Sequence, residues 1–312
     1  MAGQKKILII GSANMDLSMN VYRMPEKSES VTDDGGVAYT PGGKGAAAAL
    51  AVEKMNAHSQ LLAKLGRDAH GQRLYNYYKE AGLDVSCVKV DNDFPTGFSV
   101  VIKESDGSRR SVVYPGANAN LTNENVIDAL ESGPDAVYIG FDIPFSVALT
   151  AAKVASAKRI PIFIDASPAK RDYPLEALPE IEIFSPNEEE TLEYTGISPA
   201  GIESSLRASL ALYKRVKCKY IVIKQGTRGA FIYDGKHYDT MPAMRADKTV
   251  DTSSAGEAFT AALVSEYLKC GDIKAAVRYA NAAGAITVTR AGGVSSIAND
   301  DEIRALLAKG GR

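Results

Sequence analysis

Short runs of aliphatic and β-branched residues recur along the chain, separated by stretches in which apolar positions return every three or four residues. The first pattern is that of a buried strand and the second that of an amphipathic helix, so their alternation predicts βαβ units. Strands are predicted at 6–10, 60–64, 136–140, 161–165, 181–185, 220–224 and 230–233. Runs such as Ile-Leu-Ile-Ile at 7–10 and Tyr-Ile-Val-Ile at 220–223 leave no polar face. Such strands need cover on both sides, which predicts a mostly parallel sheet flanked by helices. Two stretches break the rhythm. Residues 15–41 carry no strong helical period, and 96–114 read as a hairpin turning at Asp106-Gly107. Both are predicted to form a small sheet inserted as a lid over the carboxyl edge of the main one. The expected division is 1–14, 42–94 and 116–312 for the main α/β unit, with 15–41 and 95–115 as the lid.

Charge and composition narrow the function classes. The 36 Lys and Arg nearly balance 38 Asp and Glu, for a net charge of −2, so no basic footprint exists for nucleic acid or an anionic membrane. His58, His70 and His237, like Cys87, Cys218 and Cys270, lie far apart, without CxxC or HExxH spacing. A zinc enzyme or a disulfide framework is not expected, and surface or packing roles are the default for the histidines. The apolar run at 7–10 is too short for a signal-peptide core, and no 18-residue apolar run occurs, which places the protein in the cytoplasm. The glycines cluster at predicted strand-to-helix turns, where a ligand can approach the backbone.

Three of these turns carry candidate chemistry. Gly42-Gly43-Lys44-Gly45 feeds an alanine-rich helix former and offers a helix amino terminus to polar or anionic groups. It is not a phosphate-binding P-loop, because Lys44 is followed by Gly45 and not by Ser or Thr. The other reading is a structural turn before a close-packed alanine helix. Asp251-Thr-Ser253-Ser254-Ala255-Gly256-Glu257 precedes a helix of period 3.6 through Phe259, Leu263 and Tyr267. Its first backbone N–H groups suit an anion, although a carboxylate in the first turn, as at Glu257, is also what helix capping prefers. Gly226-Thr-Arg-Gly229 after the strand ending at Lys224 reads as a plain turn or a nucleotide contact, and Asn187-Glu-Glu-Glu190 as a solvated helix start. A dinucleotide-binding oxidoreductase is excluded, since Gly11-Ser-Ala-Asn14-Met-Asp16 lacks the second and third glycines of its fingerprint.

Taken in order, Gly11-Ser-Ala-Asn14-Met-Asp16, Pro41-Gly42-Gly43-Lys44-Gly45-Ala46, Lys64-Leu-Gly66-Arg-Asp68-Ala-His-Gly71, Gly116-Ala117-Asn118, Asn187-Glu-Glu-Glu190 and Asp251 to Glu257 resemble the ribokinase, or PfkB, family of carbohydrate kinases from Ile7 to Ser296. The resemblance implies a three-layer α/β sandwich with a β-sheet lid. It also implies transfer of the ATP γ-phosphate to a primary hydroxyl of a pentose such as D-ribose. The sugar would be held by Asn14, Asp16, Gly42, Gly43, Lys44 and Asp142. ATP would lie beside Asn187, Glu190, Lys224, Gly226, Gly229 and Asn281, with its γ-phosphate at an anion hole of Ser254, Ala255 and Gly256. Glu257 would be the base, Glu190 would hold Mg²⁺ through water, and Asp251, Ser253, Gly293 and Ser296 would surround a monovalent cation, K⁺. A homodimer through the lid is implied as well.

Four positions depart from the family pattern. Glu257 replaces the catalytic Asp, Ala47 a sugar-contacting Asn, Asp142 a Glu, and Ser254 a Gly or Ala. Glu and Asp differ little in basicity, but one methylene moves the carboxylate by ~1 Å, enough to cost ~10²-fold in rate where geometry is tight. Another sugar, a nucleoside, or a catalytically impaired binding protein therefore stand as alternatives.

Overall fold

Ile7 and Ile9 face one helical layer and Leu8 and Ile10 the other, and all four are fully buried. A strand with no polar face has thus found cover on both sides, as its sequence demands. The computed structural model describes residues 4–32, 35–105, 108–246 and 248–310. In chain order its strands are β1 (Lys6–Ile10), β2 (Asn14–Val21), β3 (Ala38–Gly42), β4 (His58–Leu62), β5 (Lys64–Gly66), β6 (Lys89–Asp91), β7 (Gly97–Glu104), β8 (Arg109–Tyr114), β9 (Ala136–Gly140), β10 (Ile162–Asp165), β11 (Ile181–Ser185), β12 (Cys218–Lys224), β13 (Ala230–Tyr233) and β14 (Tyr238–Met241). The helices are α1 (Lys44–Lys54), α2 (Ala69–Glu80), α3 (Asn123–Leu130), α4 (Phe145–Ala157), α5 (Glu188–Thr195), α6 (Ile202–Arg215), α7 (Ala255–Cys270), α8 (Ile273–Thr287) and α9 (Asp300–Ala308).

The eight-stranded sheet runs β14-β13-β12-β11-β10-β9-β1-β4, parallel from β4 to β12 and antiparallel at β13 and β14. Helices α1, α2, α7, α8 and α9 cover the face of Ile7 and Ile9, and α3 to α6 the face of Leu8 and Ile10. This is the expected three-layer α/β sandwich. In such a sheet the carboxyl ends of the parallel strands open on one edge, which is where ligands bind.

A four-stranded sheet, β3-β2-β7-β8, lies over that edge. Pairing is in register from Asn14↔Gly97 and Asp16↔Ser99 to Asn20↔Lys103, with β8 antiparallel beyond. Alternate residues of its strands line one cavity, among them Asn14, Asp16, Ser99, Lys103 and Arg109. Strand alternation therefore sends the polar positions inward. The intervening positions, Leu17, Met19, Phe98, Val100, Val112 and Tyr114, form the opposite face.

Several strand bounds differ from those expected. The strand expected at 60–64 ends at Leu62, because Lys64–Gly66 leaves to pair with Lys89–Asp91 in a separate two-stranded sheet. The expected strand 161–165 begins at Ile162, and 220–224 begins at Cys218. Tyr238–Met241 had no apolar run to reveal it and adds an edge strand by pairing with Ala230–Tyr233. The hairpin strands of 96–114 are β7 and β8, whereas its turn at Asp106-Gly107 lies outside the described residues. Asn14 and Gly42, assigned to the main unit, are end residues of β2 and β3.

Candidate active site

The glycine turn exists because two backbones meet there. A Cβ on Gly45 would stand 2.5 Å from the carbonyl carbon of Gly11, and one on Gly43, whose φ is 89°, 2.7 Å from the Ser12 carbonyl oxygen. Only glycine fits either position. The Ala46 N–H then donates to the Ser12 carbonyl at 2.9 Å, stapling the start of α1 to the end of β1 and setting Lys44 as its first residue.

Around Lys44 the wall is polar. The Asn14 Oδ1 accepts from Asn118 Nδ2 at 2.9 Å, and Asn118 also bonds the Ala13 N–H and carbonyl. Asp16 accepts from the Ser99 hydroxyl across the β2–β7 register and lies over Gly42, where any Cβ would displace it. Burial raises the Asp16 pKa despite Ser99. Asp142 accepts from the Ser12 N–H at 3.0 Å and from its hydroxyl, while its buried Oδ1 has no partner among the described residues. Burial raises its pKa too.

At the start of α7, Ser254 is the cap and sits in the left-handed region at φ 61°. A non-glycine residue held there signals a constrained loop. The turn brings Glu257 against Lys44, 213 residues away, with Oε1 2.9 Å from Nζ. Burial alone would raise the Glu257 pKa, but the Lys44 charge and hydrogen bond, its own backbone N–H and the Lys224 charge together outweigh burial and hold the carboxyl at about 2. Glu257 is thus ionised at neutral pH, and the Lys44 cation joins its own backbone N–H as a partner, beyond what simple capping provides.

On the far side, Asn187 and Glu190 form a reciprocal capping box at α5. The Glu190 N–H donates to Asn187 Oδ1 at 2.8 Å, and Glu190 accepts from the Asn187 N–H at 2.7 Å and from its Nδ2 at 3.0 Å. Unlike an ordinary solvated helix start, Glu190 is buried, and burial raises its pKa against the pull of Lys224. Lys224 donates to Asp165 Oδ1 and to the Thr260 hydroxyl, both at 3.2 Å, and Tyr138 donates to the other Asp165 oxygen at 2.9 Å.

One cavity of about 910 Å³ joins these walls. It is lined by Asn14, Asp16, Gly42, Gly43, Lys44, Asp142, Asn187, Glu190, Lys224, Ser253, Ser254, Gly256, Glu257 and Gly293. Gly226, Gly229, Ala255, Asn281, Asp251 and Ser296 lie outside its lining. Gly229 has its own structural reason, since its φ is 92° and a Cβ would clash with the β14 segment. Asn281 likewise ties the Met241 and Pro242 carbonyls, at 3.2 and 3.0 Å. The cavity adds Asn118 of the Gly116-Ala117-Asn118 motif and residues the sequence reading did not select: Ser12, Ser99, Lys103, Arg109 and Asp165. Lys103 and Arg109 could have been found as inward positions of a predicted hairpin, and Asp165 as the last residue of a predicted parallel strand.

The groups expected around a monovalent cation are already engaged. Asp251 Oδ2 accepts from Lys103 Nζ at 2.8 Å and Oδ1 from the Ser253 N–H at 2.8 Å, while the Ser296 hydroxyl donates to the Gly293 carbonyl at 2.7 Å. The carboxylate that would attract a further cation already holds one, the Lys103 ammonium. Magnesium is different. Glu190 offers a buried carboxylate already used on both oxygens, and Asp165 stands on the same Lys224, which suits an ion that keeps its own waters. Among the described residues no three His, Cys, Asp or Glu side chains form a direct metal cage, and no helix is long and apolar enough to cross a membrane.

The family model for pfkB family carbohydrate kinase matches residues 4–300. The chain is 28% identical over 301 residues to the ribokinase of Staphylococcus aureus, covering 96% of this chain and 98% of that protein. It is 30% identical over 303 residues to the bifunctional ribokinase/ribose-5-phosphate isomerase A of Fructilactobacillus sanfranciscensis, covering 96% of this chain but only 55% of that protein. Among solved structures it superposes on Arabidopsis thaliana ribokinase complexed with ribose and ATP at a TM-score of 0.85 and 26% identity, covering 98% of this chain and 99% of that one.

Proposed function

Because the chain belongs to the PfkB family of carbohydrate kinases, we propose that it transfers the γ-phosphate of ATP to a primary hydroxyl of a pentose such as D-ribose. The observation that carries this reading is the Lys44–Glu257 pair, which sets an ionised carboxylate and two glycine-fed helix starts against one polar wall. The Arabidopsis relative, solved with ribose and ATP, supports the choice of both substrates.

The β3-β2-β7-β8 sheet, with 15–41 and 95–115, acts as a lid. Asn14, Asp16, Gly42, Gly43, Lys44 and Asp142 orient the sugar. As the Lys44 ammonium turns to sugar oxygens, Glu257 loses the partner that holds its pKa near 2, so its basicity rises as the hydroxyl arrives. Glu257 then accepts the hydroxyl proton. The amides of Ser254, Ala255 and Gly256 at the start of α7 stabilise charge on the transferred phosphoryl. Lys224 reaches the phosphates, while Gly226, Gly229 and Asn281 shape the nucleotide groove behind it. Glu190, fixed by Asn187, would hold Mg²⁺ through water, and the ion would supply charge neutralisation at the phosphates. The lid keeps water, the competing acceptor, away. K⁺ has no step here, because Asp251, Ser253, Gly293 and Ser296 are engaged with one another and with Lys103.

A homodimer through the lid follows from its outer face, where Val112 is 76% exposed and Tyr39 and Tyr114 are open to solvent on edge strands. Light scattering that returns a monomer at micromolar concentration overturns it. The proposed location is the cytoplasm, a compartment that supplies ATP; fractionation tests it.

Ala47 favours a second reading in acceptor choice. Its small buried side chain leaves the wall open where the family carries Asn, which admits a larger sugar or a nucleoside. Turnover with ATP and Mg²⁺ across pentoses, hexoses and nucleosides decides between acceptors. Absence of turnover with every acceptor, alongside sugar binding by calorimetry, overturns catalysis and leaves a binding protein.

A further inference from the structure

Lys103 lies on β7, in the lid, and Asp251 lies 148 residues later in the loop that leads to α7. Their ion pair, at 2.8 Å, therefore ties the lid to the phosphate end of the cavity. The Asp251 side chain is only 9% exposed, and a buried carboxylate needs a compensating positive charge. Its second oxygen accepts the Ser253 N–H, and the Asp251 N–H itself is bonded to the Val288 carbonyl at 3.2 Å. Whatever neutralises Asp251 thus also fixes the loop that positions Ser254 and the start of α7.

Lys103 pairs directly with Arg109 across β7 and β8, so two cations share the lid's inner face. Like charges placed opposite one another in a sheet repel. An acid reaching up from the opposite wall offsets that repulsion, and Asp251 is the acid ion-paired with Lys103. A second cation at the Asp251 carboxylate would meet the Lys103 ammonium.

We propose that Lys103 supplies, from the lid, the positive charge that a monovalent cation would otherwise bring to the Asp251 loop, so that this protein works without K⁺ and assembles its phosphate site when the lid is closed. Lys103 is on this view a positioning residue, acting on the anion site through Asp251 and Ser253. The inference rests on the kinase reading for its activity test but not for its stability test.

The experiment compares the full-length protein and Lys103→Met in KCl and in choline chloride at equal ionic strength. Turnover and the thermal unfolding midpoint in the presence of ADP are followed together. Wild type is expected to show rates within about twofold in the two salts and one midpoint. Lys103→Met is expected to lose ~10²-fold in kcat in choline chloride, comparable to removing one donor from an anion hole. KCl is expected to restore most of that rate and to raise the variant's midpoint, whereas NaCl does neither. Wild type activated tenfold by KCl with a KCl-dependent midpoint overturns the proposal, as does a Lys103→Met variant indifferent in both measurements. If no acceptor is turned over, the assignment of substrates fails while the midpoints still decide on Lys103.

Discussion

In the central sheet, alternation along β1 separates two equivalent apolar faces, Ile7 and Ile9 from Leu8 and Ile10. In the lid sheet, the same alternation along β2 separates Asn14, Asp16, Ser18 and Asn20 from Met15, Leu17, Met19 and Val21. The first sheet buries both faces to hold the fold, whereas the second turns its polar face onto the cavity and its apolar face partly into the core at Met15 and partly to solvent at Val112 and Tyr114. The difference shows where stability and ligand recognition are divided. Burial of the core strands fixes the carboxyl edge, and the lid's inward face supplies groups that burial disfavours, as the raised pKa of Asp16 records.

That division can be broken from either side. Ile9→Ala empties a fully buried site between β1 and its helices and is expected to cost ~2–5 kcal/mol of stability, read by denaturant unfolding. The KM of the folded fraction should hardly change. Asp16→Ala is expected to do the reverse, lowering kcat/KM by ~10²-fold through lost charged hydrogen bonds while leaving the unfolding midpoint unchanged or higher. Loss of stability without loss of sugar affinity in Asp16→Ala would contradict the lid's role.

The bridge between the two regions is Lys44 with Glu257, and acid probes it. The Glu257 pKa is depressed from an ordinary 4.5 to about 2, so its contribution to stability is complete above pH 4.5 and disappears as pH falls toward 2. Lys44→Met removes the depressing charge and is expected to move the acid-unfolding midpoint to higher pH, by circular dichroism. The smallest effect is expected at Ser254, where glycine relieves a left-handed residue. Ser254→Gly should add about 1 kcal/mol, a rise of ~2–4 °C in Tm by calorimetry.

Much of this was legible in the sequence because continuous apolar runs and glycine-fed helix starts are local signals. Most strands of the central sheet followed from their apolar runs, though not β14, and Lys44 and Glu257 followed from two glycine motifs. The remainder depended on contacts between distant segments. Lys64 left the main sheet because residues 89–91 were there to pair with it. Asp165 became a site residue only when Lys224 and Tyr138 converged on it. Lys103 looked like one more charge on a hairpin until Asp251, far along the chain, met it. Glu190 read as a solvated helix start, and only the fold buried it.

The most direct test is single-turnover phosphate transfer from radiolabelled ATP to D-ribose by the wild type and by Glu257→Gln, with sugar binding measured in parallel. The wild type is expected to form sugar phosphate. Glu257→Gln, nearly the same shape without the base, is expected to bind ribose but transfer ~10³-fold more slowly. A Glu257→Gln rate equal to the wild type's, or a wild type that only hydrolyses ATP, would contradict the assignment of Glu257 as the base of a sugar kinase.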